Sequence, residues 1–315
     1  MKQRAKKYID GIISAQCSDG WICPCEYDKR PDYDLWALFL ICKVLVLYYE
    51  YSKDKRIPKV VEKALFNLYS LLNNTTVKLK DWGKFRWFEC FISINWLYKI
   101  TNASWLISLA RLLYKQGAHY EKLKWQWIVP NNNWHFETHA VNIAMALKEE
   151  VLTADILNKP IKNKAESLLK ILEKYNGTVV GTLTGDECLS GKSPIQGTEL
   201  CSVVEQMFSY EILLQKTGNA KWADRLDLLA FNALPAAISE DMWTHQYDQM
   251  VNQIECTKFN DKSVFRTNGS EAHIFGLEPH FGCCTANMGQ GWPKYARCAF
   301  MKKESSITVS YTHLR

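Results

Sequence analysis

Several broad classes are excluded by what this sequence lacks. It has no Arg-rich element and no recognisable nucleic-acid module. Its net charge of +6 over 315 residues comes from scattered lysines rather than a stripe, so no nucleic-acid partner is expected. The longest apolar run, Leu35 to Tyr49, is broken by Lys43 and falls short of the roughly 20 residues that cross a bilayer, so no membrane partner is expected either. No apolar leader follows Met1-Lys2-Gln3-Arg4, which sets the expectation of a cytoplasmic protein. Strand-like alternation is scarce before residue 243. The cysteine count is odd and the chain long, so this is not a small disulfide scaffold; a mostly reduced protein is expected.

What the chain does have is ordinary globular composition, 47% apolar and 23% charged, which argues against disorder. Aromatics reach 13%, with twelve Trp; core packing accounts for most of them, and some rings are of the kind that line carbohydrate pockets. Helical periodicity recurs along the chain. It marks a partial helix over 1–16, a long helix from Asp32-Tyr33-Asp34 to about Tyr51, and segments at 56–73, 85–101, 103–118, 136–149, 161–175, 198–216 and 219–238. Helices of this length joined by short polar connections predict an all-α fold of antiparallel pairs, with strands only near the C-terminus. Such pairs can curve into an α/α toroid around an open cleft. Residues 243–280 read as a long functional loop with hairpin elements. Ser306 to Tyr311 alternates like a strand, and a lone strand is not a domain, which suggests a chain that is part of something longer.

The eleven cysteines are Cys17, Cys23, Cys25, Cys42, Cys90, Cys188, Cys201, Cys256, Cys283, Cys284 and Cys298. Cys42 and Cys90 fall inside apolar helical runs and read as core residues. Cys23-Pro24-Cys25 has no matching Cys or His pair nearby. Cys283 and Cys284 are different. Adjacent cysteines rarely bond each other, because the small ring departs from relaxed disulfide geometry, but they present two thiolates to one metal. Glu199-Leu200-Cys201 offers a carboxylate and a third thiolate. The cysteines could be unrelated buried thiols, but both stretches are flanked by glycine and polar residues rather than apolar runs, which favours a four-coordinate Zn²⁺ site of three sulfurs and one oxygen.

Two further motifs admit bland readings. His135-Phe136-Glu137-Thr138-His139 spaces two histidines like a zinc-protease helix, but its Glu is one position out of place, and a capped helix start with one functional or core His explains it better. Gly185-Asp186-Glu187-Cys188 is an exposed turn or a loop that puts one carboxyl into a cleft as a general acid. It lies just ahead of Glu199, which favours the second reading.

Gly197-Thr198-Glu199-Leu200-Cys201, with Val203-Val204-Glu205, Trp222-Ala223-Asp224-Arg225, Phe231-Asn232-Ala233-Leu234-Pro235 and Gly282-Cys283-Cys284-Thr285-Ala286-Asn287, resembles glycoside hydrolase family 127, whose founding activity is β-L-arabinofuranosidase. The resemblance runs from about residue 18 to residue 310. It implies an (α/α)6 barrel over residues 1–300 that lacks its early helices, then the start of a truncated β-sandwich over 301–315. It implies Zn²⁺ held by Glu199, Cys201, Cys283 and Cys284, Cys283 as nucleophile, and Glu187 as acid/base with Asp186 as the alternative. His139, in His139-Ala140-Val141, and Asp227 would contact the sugar. The expected function is therefore a retaining glycosidase acting on L-arabinofuranosides or related plant glycans, with a carbohydrate substrate and, in the full-length protein, a homodimer. Trp87-Phe88-Glu89 departs from the family's His-x-Glu and leaves the sugar open. The rival reading is a zinc-stapled, catalytically inactive carbohydrate-binding or structural helical protein.

Overall fold

The computed structural model describes residues 2–258, 264–276, 282–303 and 306–309. It is mostly helical. In chain order come α1 (Lys2–Ser14), α2 (Trp36–Ser52), α3 (Ile57–Asn73), α4 (Asp81–Phe85), α5 (Cys90–Thr101), α6 (Trp105–Gln116) and α7 (Tyr120–Leu123). Then follow α8 (Ala140–Ala146), α9 (Glu149–Leu157), α10 (Lys164–Asn176), β1 (Gly197–Glu199), α11 (Leu200–Thr217), α12 (Lys221–Leu228), α13 (Leu234–Ala236) and β2 (Asp248–Met250). Last are α14 (Gly282–Met288), α15 (Gly291–Cys298), β3 (Phe300–Lys303) and β4 (Ser306–Val309). The chain divides into two units, residues 1–119 with 152–160, and residues 120–151 with 161–315.

In the first unit α2 packs against α3 and α5, and α3 against α6. Leu38, Phe39, Cys42, Leu45 and Val46 recur at helical spacing on α2 and are buried, while Leu40, Val44 and Leu47 face outward. The helix starts at Trp36 rather than at Asp32, because residues 27–32 form a separate 3₁₀ segment. Asp34 fixes the start: its carboxylate accepts from the N–H of Trp36 at 2.9 Å, Trp82 at 3.0 Å and Gly83 at 2.8 Å, joining the entries of α2 and α4. Trp87 is a core residue whose indole donates to Ala118 O at 2.9 Å. Gly117 has no Cβ for that reason, since one would meet the Trp87 ring at 2.1 Å. Glu89 is buried against Lys43, 2.9 Å away.

In the second unit α11 is the central element, and α8, α12, α14 and α15 pack around it. Its buried residues run on every side, from Leu200 and Cys201 to Leu213 and Leu214, and each large apolar one contributes about 1.5–3 kcal/mol. Ala140 and Ala144 keep α8 thin enough for close approach, and Ser209 Oγ donates to Ala144 O at 2.6 Å. Gly218, at φ +66°, ends α11 with its N–H on Leu214 O. The helix expected over 219–238 is not regular: α12 widens into a π turn at 229–233. Pro235 lacks the N–H for the i−4 bond and clashes with that carbonyl, which is reason enough for the wider turn.

Strands are not confined to the C-terminus as expected. β1 and β2 pair antiparallel, Gly197 opposite Met250, Thr198 opposite Gln249 and Glu199 opposite Asp248. These three-residue strands are too short for alternation to reveal. β3 and β4 form a second antiparallel pair. Ser310 and Tyr311, placed in the terminal strand by the sequence pattern, lie outside the described residues.

Candidate functional site

β1 runs directly into α11, and the junction aims the first ligand pair. Glu199 is the N-cap, with extended dihedrals (φ −62°, ψ 131°), and Cys201 follows on the first helical turn. Gly197 is required here: a Cβ would meet the Asp248 carboxyl at 2.7 Å. The acidic loop docks on the same strand, with Gly185 N donating to Gly197 O at 2.8 Å and Glu199 N to Gly185 O at 3.2 Å. Its other side is held by Ala140 N on Glu187 O at 2.8 Å and Leu189 N on Thr138 O at 2.9 Å. The helix beyond starts at Ala140, not at 136. His139 is its N-cap, so His135 and His139 do not share a helical face.

Four ligand atoms converge. Those of Glu199, Cys201, Cys283 and Cys284 all lie within 4.8 Å of one another, and the Cys201 and Cys284 sulfurs are 3.3 Å apart. Tetrahedral Zn²⁺ with sulfur bonds of about 2.3 Å would space its sulfurs by roughly 3.8 Å, so such an ion could be held here with small adjustments. Glu199, Cys201 and Cys284 are buried; Cys283 alone of the four is exposed. Glu199 Oε2 has no hydrogen-bond partner among the described residues, an orphaned buried oxygen that a metal would satisfy.

The electrostatics favour a cation. Burial pushes Glu199, Cys201 and Cys284 well above their ordinary values, and the charges of Glu187 and Cys283 push Glu199 further. Hydrogen bonds from Cys201 and Cys284 outweigh burial at Cys283 and lower its thiol to about 2. Without a metal, burial disfavours charge on most of these donors. A divalent ion supplies the positive charge that burial demands for them.

A second group shares Glu199: ligand atoms of His139, Glu187 and Glu199 also lie within 4.8 Å of one another. His139 Nδ1 accepts from Asn142 N at 3.3 Å, which leaves the proton on Nε2, 3.2 Å from Glu187 Oε2. Trp134 Nε1 donates to the same oxygen at 3.1 Å. The Tyr247 hydroxyl donates to Glu187 Oε1 and lies 3.9 Å from Cys283 Sγ. Burial raises the Glu187 carboxyl, but the bonds from His139, Tyr247 and Trp134 outweigh it and hold it below its usual value.

Asp186 is elsewhere. It is fully buried, with Oδ1 accepting from Ser190 Oγ and Oδ2 from Thr267 N at 2.6 Å and Thr267 Oγ1 at 3.2 Å. Asn268 Nδ2 bonds both Asp186 O and Asp248 Oδ2, at 3.0 and 3.1 Å, tying the acidic loop to β2. Asp186 thus braces the loop that carries Glu187. Asp227 belongs to neither group; on α12 its Oδ1 accepts from Tyr295 OH at 2.8 Å. Tyr247 and Trp134 are the site residues sequence reasoning passed over. The only signals were the unusual composition of 243–280 and the Trp-rich loop before His135.

Fold and site together define a class: a helical protein in which a buried glutamate and three cysteines form a candidate metal centre beside a His–Glu pair. The Beta-L-arabinofuranosidase, GH127 catalytic domain family matches residues 1–297, and the chain belongs to it. No curated protein matches the chain. Among solved structures, one described as a glycoside hydrolase is similar with a TM-score of 0.67 at 13% identity, over 98% of this chain and 54% of its own. A GH127 β-L-arabinofuranosidase from Geobacillus stearothermophilus T6 is similar with a TM-score of 0.65 at 13% identity, over 97% of this chain and 54% of its own. A GH127 β-arabinofuranosidase gives 0.62 at 13% identity, over 98% and 51%. The chain spans about half the length of these proteins. Their likeness establishes the fold as the helical kind of these hydrolases. No helix among the described residues is long and apolar enough to cross a membrane.

Proposed function

We propose that this chain is the catalytic part of a retaining glycoside hydrolase acting on L-arabinofuranosides or related plant glycans. Cys283 is its nucleophile, Glu187 its acid/base, and Glu199, Cys201, Cys283 and Cys284 hold Zn²⁺. The observation that carries the reading is the Tyr247 hydroxyl, which touches both the Glu187 carboxylate and, at 3.9 Å, the Cys283 sulfur. A nucleophile and a proton-transfer group thus border one space. The exposure pattern favours an open site over a purely structural staple, because Cys283 is open to solvent. Residues 1–300 serve as the catalytic domain in this reading, and 301–315, which carry all of the β3–β4 pair but Phe300, begin a β-sandwich.

Bound Zn²⁺ would keep the sulfurs ionised at neutral pH. The remaining roles belong to side chains. In the first step Cys283 Sγ forms a bond to the anomeric carbon as the C1–O bond breaks, and protonated Glu187 gives its proton to the departing oxygen. In the second step Glu187, again a carboxylate, takes a proton from water as that water's oxygen bonds C1 and the C1–S bond breaks. The low resting value of Glu187 suits this second role and works against the first, which needs the carboxyl protonated. His139, with Nδ1 fixed by Asn142, orients Glu187 through Nε2 and meets the sugar; Asp227, held by Tyr295, is the second sugar contact carried by the resemblance. A panel of aryl glycosides led by the β-L-arabinofuranoside tests the reading. The β-L-arabinofuranoside is turned over, and Cys283→Ser abolishes that turnover. Turnover by Cys283→Ser at the wild-type rate would overturn the nucleophile assignment.

A further inference from the structure

We propose that the first unit carries a carbohydrate-binding site of its own, which holds a neutral glycan without cleaving it. That unit contains none of the candidate catalytic or metal-binding residues. The site is built on the outward side of α3. Val60, Val61, Ala64, Leu65 and Leu68 are buried, which turns Lys59, Glu62, Lys63 and Phe66 away from the core at the i, i+3, i+4, i+7 spacing of one helical face. Trp105 opens α6, which packs on α3, and the loop before residue 21 supplies another wall. That loop is pressed onto the helix. A Cβ at Gly20, φ +96°, would meet Lys63 O at 2.3 Å, and Gln16 Nε2 donates to Val60 O at 2.9 Å. Asp19 is fixed there as well: its carboxylate accepts from Arg30 Nη1, and from Trp21 N at 3.1 Å. The result is a cavity of about 510 Å³ bordered by Asp19, Lys59, Glu62, Lys63, Phe66 and Trp105.

The lining selects the occupant. Phe66 is 50% exposed, and its ring meets that of Trp105 at 5.3 Å and 88°, so two aromatic surfaces border the cavity. Among the described residues, Lys59, Glu62 and Lys63 make no ion pair, and the Trp105 indole N–H has no acceptor. Ammonium and carboxylate groups side by side disfavour a simple anion or cation, since either would meet a like charge. Lysine and glutamate are also depleted from the cores of protein interfaces, which weighs against a protein partner. A neutral sugar uses every group. Its C–H face lies on the rings, while each hydroxyl can donate to a carboxylate and accept from an ammonium or the indole. The cavity has the volume of a small-molecule site.

Native gel electrophoresis through soluble polysaccharide tests this, with neutral arabinan and anionic polygalacturonate as probes. The choice of arabinan rests on the proposed function; the site does not. Arabinan is expected to retard the wild type, and Phe66→Ala and Trp105→Ala to weaken that binding about tenfold. Phe66→Tyr, which returns a ring, should keep it. Phe66 is half exposed, so its alanine variant leaves the core intact and should turn over an aryl β-L-arabinofuranoside at the wild-type rate. No retardation of the wild type, or equal retardation of the wild type and both alanine variants, would overturn the site. Retardation by polygalacturonate and not by arabinan would overturn the neutral occupant. If the wild type hydrolyses no glycoside but its arabinan binding still depends on Phe66 and Trp105, the catalytic reading falls and this site stands.

Discussion

Two buried glutamates, one in each unit, show how differently the same side chain can be used. Glu89 is 1% exposed and sits 2.9 Å from the Lys43 ammonium, so its charge is answered within the protein. Glu199 is 2% exposed and faces three thiols, with an oxygen that accepts no hydrogen bond among the described residues and has an imidazole nitrogen at 4.0 Å. A lysine answers the charge of a buried carboxylate directly. Among thiols, burial raises Glu199 well above its ordinary value, and a cation from outside would favour its charged form. The cysteines repeat the contrast. Cys42 and Cys90 are buried in apolar surroundings that push both thiols up. Cys283 is driven the opposite way by sulfur neighbours.

Substitutions sharpen this contrast in order of effect. Cys201→Ala should take bound zinc from about one ion per chain to nearly none, and any glycosidase activity with it, as read by metal analysis beside an activity assay. Cys42→Ala should keep the metal and cost only about 1 kcal/mol of packing. Equal metal loss in both would erase the distinction between the two kinds of cysteine. Glu187→Gln should keep the zinc and slow hydrolysis of an unactivated substrate by about 10²–10⁴-fold, with partial recovery on substrates that have very good leaving groups. Lys43→Met should destabilise by about 3–5 kcal/mol in denaturant unfolding, because it removes the lysine that answers the buried Glu89 charge. Adding Glu89→Met should recover most of that loss. If the double variant is no better than the single, Glu89 is not held by its charge partner.

A third glutamate falls between these two. Glu211, on α11, is raised to about 7 by burial, against which Lys294 pulls only partly. Its folded value lies above its unfolded one, so the stability linked to its proton is present below about pH 4.5 and is lost as pH rises through about 7. Glu211→Gln should therefore be more stable than the wild type at pH 8 by about 3 kcal/mol, and within about 1 kcal/mol of it at pH 5. Parallel stability-versus-pH curves for the two proteins would rule out this account.

The parts of the site that sequence made legible are those carried by neighbours in the chain. Glu199 and Cys201, and Cys283 and Cys284, are each two candidate ligands within three residues, and the structure brings the two pairs together. The helices were legible for the same local reason, since Leu38, Cys42 and Leu45 repeat at helical spacing. Tyr247 was not, because it reaches Glu187 from 60 residues away on a stretch with no periodicity. Nor could the sequence separate Asp186 from Glu187: they are adjacent, and only the bonds from Ser190 and Thr267 turn one into a brace and leave the other to His139. The β1–β2 pair escaped because three residues do not make a pattern, and the break in the 219–238 helix because Pro235 signals a disruption without naming its form.

The 3.3 Å approach of Cys201 and Cys284 spans 83 residues of chain. Closing a loop of that length costs roughly 4 kcal/mol of chain entropy. Each half, Glu199 with Cys201 or Cys283 with Cys284, offers only two donors while the chain is still open. An ion held by both halves would therefore offset part of that closure cost, and binding it would tie α14 to α11.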